Sequence, residues 1–302
     1  MLCTCNQKNA LKNETTTDFT AARTTINNVT LDEERALYGL RNAWVEDVTF
    51  AGPADGESAL KECLNVDVSH CEFDLRYPFW HTGHFSLADS ELTENCRAAL
   101  WYAHDGRIER TKLGGIKAVR ECDNIELDDC DITSTEFGWK SRNITLNNSR
   151  IEGEYPFLDA SNVTLRDSKL EGKYSFQYVD GLIIENSMLD TKDAFWHAKN
   201  VVVRDSVIKG EYLGWYSQGL TLINCRIEGT QPLCYAKDLT LVNCTMVGCD
   251  LAFENSEVEA TIVGHVDSIK NPLSGRIVVD SVGEVVREGS VRECRGEVLL
   301  RV

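Results

Sequence analysis

Aromatic rings recur at set intervals along this 302-residue chain, and they are the side chains best suited to recognise something. Five of the six tryptophans, Trp80, Trp101, Trp139, Trp196 and Trp215, each stand nine residues before a recurring anchor, at 89, 110, 148, 205 and 224. The column next to the tryptophans carries Glu62, His81, Tyr102, Tyr178, His197 and Tyr216. Tyr77 and Tyr212 lie three residues before a tryptophan, and Arg97 lies four before Trp101. A pyranose stacks its apolar C–H face on such rings, while His, Tyr, Glu and Arg bond its hydroxyls. These residues are the candidate ligand-binding set, and a regular rail of rings suits a polymer. The competing reading is that like residues pile up in any stacked repeat because stacking stabilises it.

Catalysis asks for more. Glycoside hydrolysis needs two carboxylates about 5–10 Å apart. Glu62, Glu121, Glu136, Glu154, Asp159, Asp193 and Glu211 all lie in or beside the aromatic columns, and spacing singles out no pair. Whether the chain is an enzyme therefore stays open; if it is one, it is a carbohydrate-active hydrolase or lyase without a recognisable catalytic motif. Glu121, Lys140 and Asp159 fall in register and read more simply as a ladder of surface ion pairs. His84, His104 and Asp105 could meet at one turn, but ordinary turn residues explain them without a metal. There is no phosphate loop, nucleotide motif or nucleophile triad, and no cofactor is called for.

A repeat must position these residues. The anchors are Asp47, His70, Asp89, Arg110, Asp129, Asn148, Asp167, Asn186, Asp205, Asn224 and Asn243, spaced by 19 from Arg110 onward. A period near 20 marks a solenoid, in which each coil buries its apolar face only against its neighbours. Around Asp167, Val163 and Leu165 are two apart, as residues on one face of a strand must be, and Leu170 begins a third apolar column. The leading Asn or Gly of each repeat suits a left-handed corner, and Gly153, Gly172, Gly210 and Gly229 mark another. The expected fold is all-β: a right-handed single-stranded parallel β-helix of about a dozen coils, mostly 19 residues each. Asp and Asn alternate at the anchor from Asp129 to Asn224. Neighbouring carboxylates there would repel by about 1 kcal/mol or more, whereas alternation permits an amide ladder. One column resists assignment. Phe157, Phe176 and Phe195 precede the Trp column, and strict alternation puts them on the face of the Tyr/His column unless a bend intervenes. The repeat divides the chain into a polar leader (1–30), coils with an N-terminal cap (31–254), and shorter coils with a closing cap (255–302).

The formal charge of −17 disfavours nucleic acid, anionic membrane and polyanionic sugars, so the expected partner is a neutral glycan, with the oligomeric state left open. The twelve cysteines follow the repeat rather than a disulfide framework. Cys71, Cys130, Cys225 and Cys244 share the slot after the anchor with Ser90, Ser149, Ser168, Ser187 and Ser206, so they read as small interior fillers and as thiols. With no signal-like or membrane-length apolar run, a cytoplasmic location is expected.

Several phrases resemble an uncharacterised bacterial family, a domain of unknown function with a right-handed, pectate-lyase-like β-helix. They include Glu34-Arg35-Ala36-Leu37-Tyr38-Gly39, Tyr77-Pro78-Phe79-Trp80, Arg97-Ala98-Ala99-Leu100-Trp101-Tyr102, Gly210-Glu211-Tyr212-Leu213-Gly214-Trp215 and, most distinctive, Ser268-Ile269-Lys270-Asn271-Pro272-Leu273-Ser274-Gly275. The likeness spans about 34 to 287. It implies the β-helix fold and supplies no activity.

Overall fold

The computed structural model describes residues 20–52 and 57–301. A strand sends successive side chains to opposite faces, so the apolar pair of each repeat points one way. Ile144, Val163 and Leu182 align in adjacent parallel strands, as do Leu146, Leu165 and Ile184, and all are buried. Each typical coil has a six-residue strand such as Ser161–Arg166 and a second strand such as Lys169–Lys173. Both meet the next coil in a 19-residue register, Val163 against Leu182 and Leu170 against Leu189. Among the described residues 24 strands form one continuous parallel sheet, without a helix. The solenoid has about 14 turns. The segment after 255 supplies shorter coils. Strands Glu257–Lys270 and Ser274–Val286 continue the winding with Ala260 opposite Ile277, a step of 17 that a 19-residue ruler does not register. At the other end, residues 1–19 of the expected leader lie outside the described residues, and Thr24–Leu31 is an edge strand paired with Arg41–Ala51.

All eleven anchors are left-handed corners, with φ between 44° and 55°. The alternating Asp and Asn anchors pair at two steps: Asn186 Nδ2 donates to Asp167 at 2.5 Å and Asn224 Nδ2 to Asp205 at 3.0 Å, whereas Asn148 Nδ2 donates to Asp128, beside the anchor, at 3.0 Å. Arg110 grips Asp89 through two bonds of 2.7 and 2.8 Å. Just inside the corner runs a hydroxyl ladder. Ser168 Oγ accepts from Ser149 N–H at 3.0 Å and donates to Arg166 O, and Ser187 and Ser206 repeat the pattern. Each hydroxyl thus satisfies two backbone groups that the corner would otherwise leave unpaired in the interior. A second close approach explains the glycine column: a Cβ on Gly172 would lie 1.9 Å from Gly153 O.

The third side of each coil is not a strand. In Tyr155–Ala160, Leu158 N–H bonds Tyr155 O and Ala160 N–H bonds Phe157 O, while Tyr155, Phe157 and Asp159 all have φ of 56–60°. Overlapping β-turns replace the alternation of a strand. Pro156 and Phe157 therefore turn inward, Leu158 is half-buried and Asp159 faces solvent. This resolves the column left unassigned above. Phe157, Phe176 and Phe195 form a buried ladder, stacked 5.3 and 5.5 Å apart, and the Tyr/His column faces out. The coil from Asp89 to Arg110 has two residues more than its neighbours. They emerge at Glu94 and Asn95, which are exposed; Thr93 Oγ1 and Asn95 Nδ2 tie the bulge back to Asp74 at 2.5 and 2.7 Å.

Candidate functional site

The fourteen candidate residues all reach the surface in part, but they do not form one rail. They fall into two patches on the turn side. Between the patches the Trp column holds Leu158 and Gln177, and the neighbouring column holds Lys140 and Asp159, paired at 3.6 Å.

The N-terminal patch contains Glu62, Tyr77, Trp80, His81, Arg97, Trp101, Tyr102 and Trp139. Trp80 and Trp101 stack at 5.0 Å with planes 9° apart. Their outer faces are closed by cations: Lys61 Nζ lies 3.8 Å from the Trp80 ring and the Arg120 guanidinium 4.1 Å from Trp101. Arg120 also covers Trp139 at 4.7 Å, and Lys117 lies over the same ring at 4.1 Å. Tyr77 leans on both members of the pair at 6.0 and 6.2 Å. The Trp80 and Trp101 Nε1 atoms are buried without a hydrogen-bond partner. His81 stacks on Tyr102 at 5.0 Å, and burial holds its pKa below the ordinary value, opposed by Glu62. Arg97 is exposed one coil beyond Arg76, in the column beside Tyr77, and Tyr77 N–H bonds its carbonyl.

The C-terminal patch contains Tyr178, Trp196, His197, Tyr212, Trp215 and Tyr216. Trp196 and Trp215 stack at 5.5 Å, 5° apart. Here each indole N–H donates at 2.7 Å to a carbonyl one coil on, Tyr212 O and Gln231 O. Beside them Tyr178, His197, Tyr216 and Tyr235 form a four-ring ladder with steps of 4.9, 5.1 and 5.0 Å. The ladder residues occupy left-handed turn positions, φ 55–60°. Such a conformation costs a non-glycine residue about 1–2 kcal/mol; stacking, worth about 0.5–1.5 kcal/mol per pair, and an N–H bond to the next coil offset it. Asp193 lies beneath this patch, 6 % exposed, with burial raising its pKa against the pull of Lys192.

Both patches end alike. The last tyrosine meets a glutamate 19 residues on, and that glutamate is held by a cation. Tyr102 lies beside Glu121, which Arg120 contacts at 3.2 Å; Tyr235 OH lies 3.5 Å from Glu254, which pairs with Lys270 at 3.1 Å. Burial first, and then the glutamate, push both tyrosine pKa values up. Lys61, Arg120, Tyr235, Glu254 and Lys270 stand outside the candidate set. For the first four the signal was their place in the two aromatic columns, Glu254 falling 19 residues after Tyr235; Lys270 lies 16 beyond Glu254, where the coil shortens. Glu121 pairs with Arg120, so the expected ladder shrinks to the Lys140–Asp159 pair.

Elsewhere His84 and His104 do meet Asp105, at 3.8 and 3.0 Å. Among the described residues no three His, Cys, Asp or Glu side chains are placed to hold a metal ion. Ten described cysteines carry free thiols; burial pushes Cys63 and Cys122 up to about 12. No helix among the described residues is long and apolar enough to cross a membrane.

Residues 24–298 match the family model described as "Protein of unknown function (DUF3737)". The chain belongs to the DUF3737 family. No curated protein matches the sequence. Among solved structures, the DUF3737 chain is similar to the surface adhesin PfbA of Streptococcus pneumoniae, at 9 % identity over 92 % of this chain and 82 % of the other, TM-score 0.34. It is also similar to the A-module of the mannuronan C-5 epimerase AlgE4 of Azotobacter vinelandii, at 13 % identity over 80 % and 81 %, TM-score 0.26. A third similarity is to the periplasmic alginate epimerase AlgG, at 9 % over 92 % and 85 %, TM-score 0.28. Likeness this distant says nothing of ligand or reaction.

Proposed function

We propose that this protein binds a neutral glycan on its C-terminal aromatic patch. The observation that carries the reading is the ladder Tyr178–His197–Tyr216–Tyr235. Tyr178 and Tyr216 are 53 % and 46 % exposed, so the ladder presents a phenol or imidazole edge once per coil over four coils. Ring edges with hydroxyl and N–H groups bond sugar hydroxyls, and a regular step suits a ligand that repeats. A net charge of −17 repels polyanions and favours an uncharged polymer. Glu254, the carboxylate at the end of the ladder, is held by Lys270, so binding is favoured over turnover.

A second reading rests on the same stacks. Rings that lie face to face along the axis spend most of their faces on one another, as a purely structural ladder would, and the chain would then serve as a scaffold. A glycan array followed by calorimetry separates the two, with Tyr216→Ala and His197→Ala as variants. Loss of a glycan signal at unchanged melting temperature supports the first reading. Silence of the native protein across neutral polysaccharides, with loss of stability in the variants, supports the second. Incubation with any bound polysaccharide and product analysis checks turnover.

A further inference from the structure

A sugar ring needs a free ring face to stack on, and this molecule has few. The faces of Trp80 and Trp101 are closed by one another, by Lys61 and by Arg120. His197 and Tyr216 are covered on both sides by their ladder neighbours. At the far end Tyr235 is covered by Tyr216 and met edge-on by Trp215, and its hydroxyl faces Glu254. Among the described residues of the turn side, Tyr155 stacks on Tyr174 alone, Trp196 on Trp215 alone and Tyr178 on His197 alone. Of these three Tyr178 is the exposed one; Tyr155 and Trp196 are half-buried. The residue one coil below it is Asp159, 19 positions earlier in the same turn column, and Asp159 N–H bonds the carbonyl of Gln177 beside Tyr178. An aspartate is shorter than a tyrosine and cannot cover the whole of that ring face, and Tyr178 is 53 % exposed. At the same step the Trp column holds Leu158 and Gln177, both half-buried.

We infer that the face of Tyr178 turned toward Asp159 is a subsite for one pyranose ring, stacked on that face and bonded through its hydroxyls by Asp159 and Lys140. The two charged groups suit that task. Lys140 Nζ and Asp159 lie 3.6 Å apart, both about half exposed, and together they offer a donor and an acceptor with no net charge, which matches a neutral sugar. Burying the apolar C–H face on the ring supplies affinity, and the paired charges set orientation. The subsite rests on the glycan reading above and places its strongest contact at the start of the ladder rather than along it.

The probes are cellohexaose, laminarihexaose and maltohexaose, titrated calorimetrically into the full chain and into Tyr178→Ala, Tyr178→Phe, Lys140→Ala, Asp159→Asn and Tyr216→Ala. For a hexaose that binds, Tyr178→Ala is expected to weaken affinity about tenfold, the equivalent of about 1.4 kcal/mol. Tyr178→Phe, which keeps the face, stays within about twofold; Lys140→Ala and Asp159→Asn each weaken binding about threefold; Tyr216→Ala matters less than Tyr178→Ala. Circular dichroism melting confirms that each variant is folded. If a hexaose binds and Tyr178→Ala is no worse than Tyr216→Ala, or Tyr178→Phe fails as badly as alanine, the subsite is overturned while the glycan reading stands. If the native chain binds no hexaose, both fall.

Discussion

The two tryptophan stacks occupy the same columns of one solenoid and are built on the same turns, yet they are satisfied in opposite ways. Trp196 and Trp215 donate their indole N–H groups to carbonyls one coil on and leave a tyrosine ladder open to solvent. Trp80 and Trp101 bury theirs without an acceptor and close their faces with Lys61 and Arg120. Stacking distance alone, 5.5 against 5.0 Å, does not separate them. What a ring can do for a ligand depends on what its faces and its one polar edge are already bonded to. The N-terminal stack reads as reinforcement and the C-terminal one as a surface.

The largest expected effect tests this contrast directly. Trp215→Phe should cost about 2 kcal/mol in urea unfolding, because it loses ring area and leaves Gln231 O with only the weak Cys234 thiol as a donor. Trp101→Phe, which removes a donor that had no partner, should cost about 1 kcal/mol or less; equal losses would erase the distinction. Next comes Arg120→Met, which removes a cation lying against two indole rings. A loss of about 1–2 kcal/mol is expected, largely retained in 1 M salt; a loss that disappears with salt would mean that the Arg120–Glu121 pair, not the sandwich, is what matters. Asp193→Asn should stabilise the C-terminal patch by about 1 kcal/mol at neutral pH, since a buried charge is removed. Folding raises this carboxyl's pKa, so the folded chain holds the proton more tightly. The native stability it contributes is complete below the unfolded value of 3.8 and is lost as pH rises through the folded value. The advantage of the asparagine variant should therefore vanish in acid unfolding measured near pH 3.5, and persistence there would point to packing instead. The smallest effect is alkaline. Tyr102 and Tyr235 have raised pKa values, so their contribution is intact below the ordinary value of 10.0 and is lost as pH climbs through the folded one. Tyr102→Phe and Tyr235→Phe should each flatten the decline in melting temperature above pH 10, by similar amounts if the two glutamate ends are equivalent.

The winding was legible because its cause is local. Val163 and Leu165 two apart, a left-handed residue at each corner and a serine or cysteine just inside it repeat every 19 residues, and each has one structural meaning. The Asp/Asn alternation announced the bonds Asn186 makes to Asp167 and Asn224 to Asp205. The turn side was less legible. Tyr155 and Phe157 are residues that ordinarily avoid positive φ, and hydrogen bonds between and within the coils, with ring stacking, hold them there. Nothing in their identities distinguishes overlapping turns from a short strand, so the inward Phe ladder and the outward Tyr ladder could not be told apart. The columns correctly gathered the aromatic residues. They also placed Leu158, Gln177, Lys140 and Asp159 between the aromatic residues, so the break in the rail was itself legible in the sequence.

The bulge at Glu94–Asn95 carries a practical corollary. Two surplus residues leave the stack at a corner and are moored to Asp74, while Leu92 and Leu113 on either side still pair in register. The rod thus tolerates a detour without losing count. That corner is a natural splice point, where a foreign loop can be hung at a known height along a stiff molecular ruler.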